Sequence, residues 1–533
     1  MKKYLFIIAL LVMGLMSNSC NQDLLDIEQQ GALSMSTYYA NATDEQAEGL
    51  IAHVYSYIYG LTGNDWLILL NGLSDDGTNT GGVYSNLNVT SSNHSGNSLF
   101  TSLYRVNYLC NLIIEGLPEN SDAKKQIIGE AYFWRAWANL YLIRFWGNPP
   151  LVDHILGSDE LAMANADPAD LWNYVETSLQ EAISRLPEKS GLGGQSSIGG
   201  RVTKHSAYAL LGKAQVIKGD YASAVTTLGT VISSNKYKLI DDYRELYHNA
   251  ADFCDEYMWE WNINDANVSN YQSEGDQRLL QLTWRAENVV VPGGFTSGGW
   301  GGADLNKNYY DFMVARGEKG KPRYLGTIWD YEDILQRFVD LGLAANTEDA
   351  KGEFWGGEPA MQNCQGYFRC KMLTWADEVF PFTAGQNAKA KNNWPGMRYA
   401  EVLLLYAEAC KQSGSSESQG LAALNEVRVR AGLTSLGSYT LQDLKDEKRA
   451  EMAYEGERFL DLVRWGDAPA KLSNRGFTSY TFYGYQEGNT TYDVLAVPIQ
   501  GAQGFQAGRD EHFPYPYSEM LLNDNLVQNP GWN

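Results

Sequence analysis

Apolar side chains recur every three or four residues over much of the chain, which is the spacing that places them on one face of an α-helix. Ser121 and Thr203 stand where they can cap helices, and Asp167 precedes Pro168 at the start of another. Gly147 follows the longest stretch and can end it. The combined pattern predicts helices over residues 44–59, 121–146, 168–186, 397–412, 417–431 and 441–464, and one from 203 up to a turn at 218–220.

The helix that follows Thr203 and the next one carry the residue spacing of a tetratricopeptide unit. Gly212 lies on the first helix and Ala224 on the second, so that small residues let the two helices approach each other. The predicted helices 397–412 and 417–431 form a second such pair. Because repeats of this kind bury a continuous core only when several stack, we expect a mainly α fold built on a tetratricopeptide-like helical-repeat scaffold.

The middle of the chain has a different composition. Residues 262–395 are rich in Gly, Asn, Trp and Tyr, they show no sustained period, and they include GGFTSGGWGG at 293–302. This composition predicts a loop-rich variable region on a helical base. The chain would then divide into an N-terminal helical part over 41–261, the variable region over 262–395, and a C-terminal helical part over 396–533 that completes the scaffold.

The N-terminus has the features of a secretory signal. Two lysines precede an apolar run from Tyr4 to Met16, and small polar residues then lead to Cys20. Thirteen apolar residues are too few for a membrane-spanning helix, which needs about 20. We therefore expect a signal peptide over 1–19, lipidation of Cys20 after a lipobox-like sequence, and a tether over 20–40. The alternative is ordinary signal cleavage that leaves Cys20 as an incidental thiol.

The charge balance excludes one class of partner. The 41 lysines and arginines against 64 aspartates and glutamates leave a formal net charge of −23, and no dense basic block occurs. A polyanion such as nucleic acid would be repelled at long range, so we expect no nucleic-acid partner.

Cysteine and histidine spacing predicts no metal site. The five cysteines after Cys20 form no disulfide framework, although Cys364 and Cys370 are close enough for one bridge, and their spacing is not that of a zinc site. We expect no cofactor. Calcium held by aspartates and backbone carbonyls stays open, although the chain has no twelve-residue calcium loop.

Several stretches along the chain resemble the SusD/RagB family of outer-membrane nutrient-binding lipoproteins. They are AYFWRAWANLYLIRFWGNPPLV at 131–152, MRYAEVLLLYAEA at 397–409, LNEVRVRAGL at 424–433, EKRAEMAYEGERFLDLVRWG at 447–466 and PYPYSEMLLNDNLVQNPGW at 514–532. The resemblance implies a cell-surface, lipid-anchored protein of the outer membrane without catalytic activity. It implies that the protein captures an oligosaccharide, or in some members a peptide, and delivers it to a SusC-like TonB-dependent transporter. The implied fold is a tetratricopeptide-like scaffold that carries a variable ligand-binding part.

Two predicted loops combine the side chains that sugars require. Sugar rings stack their apolar faces on aromatic rings, and their hydroxyls bind amides and charged groups. The first loop runs over 66–97, where the corresponding loop of the family carries ligand contacts, and the second runs over 284–306. Trp300 lies where family members commonly have a glycine-flanked Trp. The candidate ligand-binding residues are Trp66, Asp75, Asp76, Asn79, Tyr84, Asn86, Trp284, Arg285 and Trp300.

Each candidate also has a structural alternative. Trp300 can pack back onto the scaffold, and the two aspartates can form a turn before Gly77. Glu451, Glu455 and Arg458 recur at helical spacing, which favours a solvated or interhelical ion-pair face. A glycosidase would instead need two carboxylates about 5 to 9.5 Å apart across a cleft.

Two other functions stay open besides glycan capture. The same scaffold could bind peptides, which the loop composition does not exclude. The chain could also be a lipid-anchored glycoside hydrolase, but it contains no nucleophile elbow, zinc motif or phosphate-binding loop.

Overall fold

The computed structural model describes residues 35–62, 66–78, 87, 89–92, 96–263, 292–294, 304–355, 367–381, 389–473, 478–483, 493–498 and 504–532. Over these residues the fold is mainly α, as the sequence predicts. The strands are short and pair two by two. Among the described helices, none is both long and apolar enough to cross a membrane.

The helices are numbered in chain order. They are α1 Met35–Ala40, α2 Asp44–Leu61, α3 Leu67–Leu73, α4 Gly96–Gly116, α5 Asp122–Trp146, α6 Pro168–Arg185, α7 Lys204–Lys218, α8 Tyr221–Ser233, α9 Lys307–Ala315, α10 Pro322–Leu325, α11 Tyr331–Asp340, α12 Thr347–Trp355, α13 Tyr399–Ser413, α14 Glu417–Arg430, α15 Leu441–Glu451, α16 Arg458–Arg464, α17 Ala468–Lys471 and α18 Tyr517–Leu522. Short 3₁₀ turns cover Ser196–Ile198, Tyr243–Glu245, Asn249–Ala251 and Ala376–Glu378.

The strands form four antiparallel pairs within the described residues. They are β1 Gly77–Thr78 with β3 Asp304–Leu305, β2 Tyr257–Trp261 with β6 Trp394–Arg398, β4 Ile328–Trp329 with β5 Phe368–Arg369, and β7 Thr478–Tyr483 with β8 Asp493–Pro498. The β2–β6 register shifts between Tyr257 and Glu260, so that this pair is irregular. The first three pairs therefore join distant parts of the chain, and β2 and β6 also contribute side chains to the mainly helical core.

Helix α5 is the centre of the N-terminal core. It packs against α2, α4 and α6, and nearly every side chain from Ile127 to Trp146 is buried. The Ser121 side chain accepts a hydrogen bond from the Lys124 amide at 3.2 Å, and the helix ends at Gly147, whose φ is +72°. Both ends therefore fall where the sequence predicts them.

The helix pair predicted after Thr203 is present as α7 and α8. Thr203 and Ser206 cap α7 reciprocally, and Gly219 turns the chain with a φ of +88°. A Cβ on Gly212 would lie 2.4 Å from the Leu228 side chain, so only glycine permits this approach of the two helices. Helix α8 packs on α13, which packs on α14, the second predicted pair. The helix pairs are confirmed, and their assignment as tetratricopeptide units stays a prediction.

The single helix predicted over 441–464 is wrong. The chain leaves α15 after Glu451 and begins α16 at Arg458. In the break Tyr454 and Gly456 have φ angles of +67° and +83°, which a helix does not contain. The Tyr454 carbonyl accepts a hydrogen bond from the Asn71 side chain at 3.1 Å, so a contact with the distant helix α3 holds the break.

Two regions predicted as loops contain helices. Helix α3 lies within the predicted loop 66–97, and α9, α11 and α12 lie within the predicted variable region. Asp330 and Asp333 cap α11 reciprocally, and Ile334 and Phe338 are buried on one face of it. The capping residues and the apolar spacing of α11 are a local signal for a helix. This helix is only ten residues long, however, and glycine-rich and polar sequence surrounds it.

Candidate functional site

The two predicted ligand-binding loops start from the same place in the fold. Strands β1 and β3 pair antiparallel, with Gly77 opposite Leu305 and Thr78 opposite Asp304. Strand β3 also contacts β5, which follows Tyr367. Three segments of the chain therefore have an end where these strands meet. One segment continues after Thr78, one ends before Asp304 and one ends before Tyr367. We call this meeting point the loop junction.

Two buried ion pairs lie beneath the loop junction. Arg458 donates to Asp75 through Nε at 2.8 Å and through Nη2 at 2.9 Å. Arg449 donates through Nε to both oxygens of Asp76 at 3.0 Å, and its Nη2 also bonds Asp76. The Arg449 guanidinium lies 4.0 Å from the ring centroid of Phe312. Such bidentate pairs fix the orientation of both partners.

The pKa values of the two carboxyls move in opposite directions. Burial alone would raise the pKa of Asp75, but the hydrogen bonds and charge of Arg458 lower it below its ordinary value. The pKa of Asp76 is raised, because burial together with the neighbouring Asp75 charge outweighs Arg449. Two adjacent carboxylates that share two arginines resist simultaneous ionisation in this way.

Backbone hydrogen bonds connect the same aspartates to the second loop. The side chains of Asn306 and Asn308 both donate to the Asp75 carbonyl, at 2.9 and 3.0 Å. The Asn306 amide donates to the Asp76 carbonyl at 2.9 Å, and the Asn306 side chain also caps α9. The start of the first loop and the end of the second are therefore joined into one rigid base.

Three predicted ligand-binding residues lie in the interior, so the expectation that they are exposed is wrong. Asp75 and Asp76 are 8% and 3% exposed, and their oxygens are occupied by arginines. Trp66 is 8% exposed, because it stacks on Trp137 with 5.6 Å between ring centroids and meets the edge of Tyr141. These side chains support the loops from below.

The other predicted residues lie outside the described residues. They are Asn79, Tyr84, Asn86, Trp284, Arg285 and Trp300, together with the predicted lipidation site Cys20. The two ends of the segment that contains Trp300 are described. Gly294 forms a β-bridge with Trp375, and Asp304 pairs with Thr78. Nine residues that include Trp300 therefore connect Trp375 to the loop junction.

Sequence reasoning missed Trp375 as a candidate aromatic. It is half-buried between His248 and Trp329, with ring centroids 5.3 and 6.0 Å away and interplanar angles of 14° and 23°. The Arg337 guanidinium lies 5.0 Å from its ring centroid. His248 bonds Glu378 at 2.8 Å, which fixes the stack. No local pattern marks this tryptophan, because its partners come from distant parts of the chain.

A second aromatic pair lies beside the loop junction. Tyr310 on α9 stacks on Tyr367 with 4.3 Å between ring centroids and an angle of 27°. The Tyr310 hydroxyl donates to Asp330 at 2.9 Å, and Lys319 bonds the same carboxylate. Rigid aromatic faces beside amide and charged groups are what a sugar ring requires.

Glu451 and Glu455 of the C-terminal motif form ion pairs with other elements, which confirms the interhelical ion-pair alternative over a solvated face. Glu451 and Glu455 are bound by Arg398 at 3.0 and 2.5 Å, and Arg430 also binds Glu451. Burial alone would raise the pKa of Glu451, but the surrounding arginines lower it to about 2. A carboxylate that stays ionised cannot donate the proton that glycoside hydrolysis needs from one member of its pair.

A search of the described residues finds no group of three or more His, Cys, Asp and Glu side chains that could hold a metal ion. The described part of the loop junction offers aromatic faces, amides and paired charges instead. Its chemistry is that of binding by stacking and hydrogen bonding.

Comparisons with family models identify two matches. Residues 255–532 match the model described as the SusD family. Residues 69–215 match a model described as starch-binding and associating with the outer membrane.

Comparisons with individual proteins agree with these matches. A SusD-like protein of Bacteroides ovatus is 24% identical, over 99% of this chain and 98% of its own. The starch-binding protein SusD of Bacteroides thetaiotaomicron is 24% identical, over 78% of this chain and 74% of its own. Among solved structures, a laminarin-binding SusD-like protein superposes with a TM-score of 0.73 at 26% identity and covers 91% of this chain and 99% of its own.

Proposed function

Because the chain belongs to the SusD family, we propose that it is a non-catalytic glycan-binding lipoprotein of the cell surface. It captures oligosaccharides with the loops that start from the loop junction. It then delivers them to a SusC-like TonB-dependent transporter in the outer membrane.

One observation carries the capture site. The β1–β3 pair joins the ends of two segments that are both rich in the side chains that bind sugars, although more than 200 residues separate them in the chain. The relatives support glycan as the ligand, since one is named a starch-binding protein and another a laminarin-binding protein. A further similar structure, 20% identical, was solved with a xylogluco-oligosaccharide.

The decisive experiment is calorimetric titration of residues 21–533 against laminarin, starch, xylogluco-oligosaccharide, host glycans and peptides. We expect one glycan class to bind without product formation and Trp300→Ala to weaken it. The matched control is Tyr108→Ala, which removes an exposed aromatic ring from α4, away from the loop junction. Binding of peptides alone, or hydrolysis of any sugar, would overturn the proposal.

The proposal includes no cofactor and no metal. Dialysis against EDTA followed by repeated titration tests this directly. We expect an unchanged affinity, and a loss that Ca²⁺ restores would instead reveal a calcium ion in the loops.

Anchoring and delivery are tested in cells. We expect radiolabelled palmitate to enter the wild-type chain but not the Cys20→Ala variant, and protease added to intact cells to cleave the wild type. Affinity purification from detergent-solubilised outer membranes should recover a TonB-dependent barrel with the wild type. Release of the unlabelled variant into the periplasm with no loss of sugar uptake would contradict the delivery role.

A further inference from the structure

A groove of about 450 Å³ lies beside helix α2, away from the loop junction. Its volume is within the range of small-molecule sites, about 300 to 1,000 Å³. It shares no lining residue with β1, β3 or β5. Its lining includes Glu48, Tyr55, Tyr59, Arg201, Glu260 and Trp261.

One wall of the groove is a fixed set of aromatic rings. Trp261 stacks on Trp134, with ring centroids 6.0 Å apart at an angle of 29°, and its Nε1 donates to the Tyr55 carbonyl at 3.2 Å. Tyr59 lies 6.2 Å from Trp261, and Tyr55 meets the edge of Trp134 at 5.0 Å. The rings are held before any ligand arrives, so little conformational entropy is lost on binding.

The rim beside this wall is polar and internally paired. Arg201 donates through Nη1 to Glu48 at 3.0 Å and through Nη2 to the buried Glu130 at 2.9 Å. The Tyr55 hydroxyl accepts a hydrogen bond from the Val202 amide at 3.2 Å. These pairs fix donors and acceptors next to the aromatic wall while leaving little net charge there.

A buried acceptor of the groove has no partner among the residues that the structure describes. Glu260 is 2% exposed, and its Oε2 accepts hydrogen bonds from the Phe253 amide at 3.0 Å and from the Asn393 side chain at 2.9 Å. Its Oε1 is buried and unpaired. An unpaired buried oxygen costs free energy, so Glu260 is a strained polar group in the groove lining.

We propose that this groove is a second saccharide-binding site, which takes one or two rings of a neutral glycan. The apolar face of a sugar ring stacks on the half-buried Tyr59, which packs against the buried Trp261, and its hydroxyls reach the Glu48–Arg201 rim. The site extends the proposed function, on which it rests, because it lets the chain bind a glycan at a second place that is separate from the loop junction.

The charges and the backbone favour a neutral sugar over other ligands. Glu48 and Glu130 already share Arg201, and burial raises the pKa of Glu260 to about 7, so that it is only partly charged near neutral pH. Lys389 also lines the groove, but an anionic ligand there would meet the carboxylates of Glu48 and Glu260 as well. A peptide cannot add to the free edge of β2 at Glu260, because the Glu260 amide donates to the Gly200 carbonyl at 2.9 Å.

Two exposed positions on α2 allow the groove to be blocked. Ser56 and Ala52 line it and are exposed, so Ser56→Trp fills it without removing a core side chain. His53 is exposed on the same helix but does not line the groove, so His53→Trp is the matched control. Ala52→Trp is a second blocking variant in case Ser56→Trp fails to fold. Thermal unfolding of each variant is measured first.

The experiment is calorimetric titration of the full mature chain with the oligosaccharide of laminarin, starch or xyloglucan that binds it tightest. We expect the wild type and His53→Trp to bind two molecules per chain, Ser56→Trp to bind one, and Ser56→Trp with Trp300→Ala to bind that one more weakly. One molecule per wild-type chain, with Ser56→Trp and Ala52→Trp unchanged, would overturn the second site and leave the capture role intact. No binding to the wild type would overturn both.

Discussion

Asp76 and Arg449 are 373 positions apart in the chain, yet the Arg449 Nε lies 3.0 Å from both oxygens of the Asp76 carboxylate. Asp76 precedes the first loop, and Arg449 lies in the C-terminal motif through which the chain resembles its family. The motif therefore fixes the base of the candidate site, where the Asp76 side chain is buried.

Removing one member of this pair should destabilise the fold strongly. In Arg449→Met the Asp76 carboxylate stays buried without its main partner, and breaking a buried ion pair in this way costs about 3 to 5 kcal/mol. The free energy of unfolding in urea measures the effect. The control is Arg244→Met, which breaks the exposed pair with Asp242 and should cost less than about 1 kcal/mol. Equal losses in the two variants would contradict the structural role of Asp76.

The acid side of the stability profile should depend on Glu451. Its pKa is lowered to about 2 in the folded chain, against an ordinary value of 4.5. The charged form is therefore favoured by folding, so its contribution is complete above pH 4.5 and is lost as the pH falls from 4.5 towards 2. The ionised Glu451 contributes about 3 kcal/mol to the free energy of unfolding, since each pKa unit corresponds to about 1.4 kcal/mol.

Urea unfolding of the wild type and Glu451→Gln between pH 7 and pH 3 checks this. The variant should be less stable at pH 7, because three arginines lose their partner charge, and its stability should fall less steeply with acid. If the free energy of unfolding fell equally steeply with pH in the two proteins, other carboxylates would cause the loss of stability in acid.

Local sequence predicted most of the helices because their ends are set by neighbouring residues. Ser121, Asp167 and Thr203 each accept a hydrogen bond from an amide two or three positions later, so a short window contains the whole signal. The break between Glu451 and Arg458 could not be found in this way. It depends on a hydrogen bond from Asn71, far away in the sequence.

Composition singled out two segments whose ends the β1–β3 pair brings together, and their role in binding stays a prediction. It did not show that Asp75, Asp76 and Trp66 are buried, because their partners Arg458, Arg449 and Trp137 lie on other elements. Burial at these positions is a property of the packed fold and leaves no local pattern.

The α7–α8 pair should tolerate no side chain at Gly212. A Cβ there would lie 2.4 Å from the Leu228 side chain, so Gly212→Ala should cost about 1 to 3 kcal/mol through overpacking. Gly229→Ala on α8 is the matched control, because its new Cβ would meet only the Tyr406 ring at 3.6 Å and the helix gains about 0.5 to 1 kcal/mol. We expect Gly212→Ala to lower the free energy of unfolding and Gly229→Ala to raise it. A stable Gly212→Ala variant would show that the two helices can move apart.

Trp375 should affect glycan affinity through its half-exposed ring. Its backbone bridge with Gly294 fixes one end of the nine residues that contain Trp300, and this bridge stays in Trp375→Ala. Trp375→Ala should weaken binding about tenfold, or about 1.4 kcal/mol, since a stacking surface is lost. Trp375→Phe keeps a ring between His248 and Trp329 and should retain most of the affinity. If Trp375→Ala binds glycan as tightly as the wild type at an equal unfolding temperature, then the Trp375 ring does not contribute to the site.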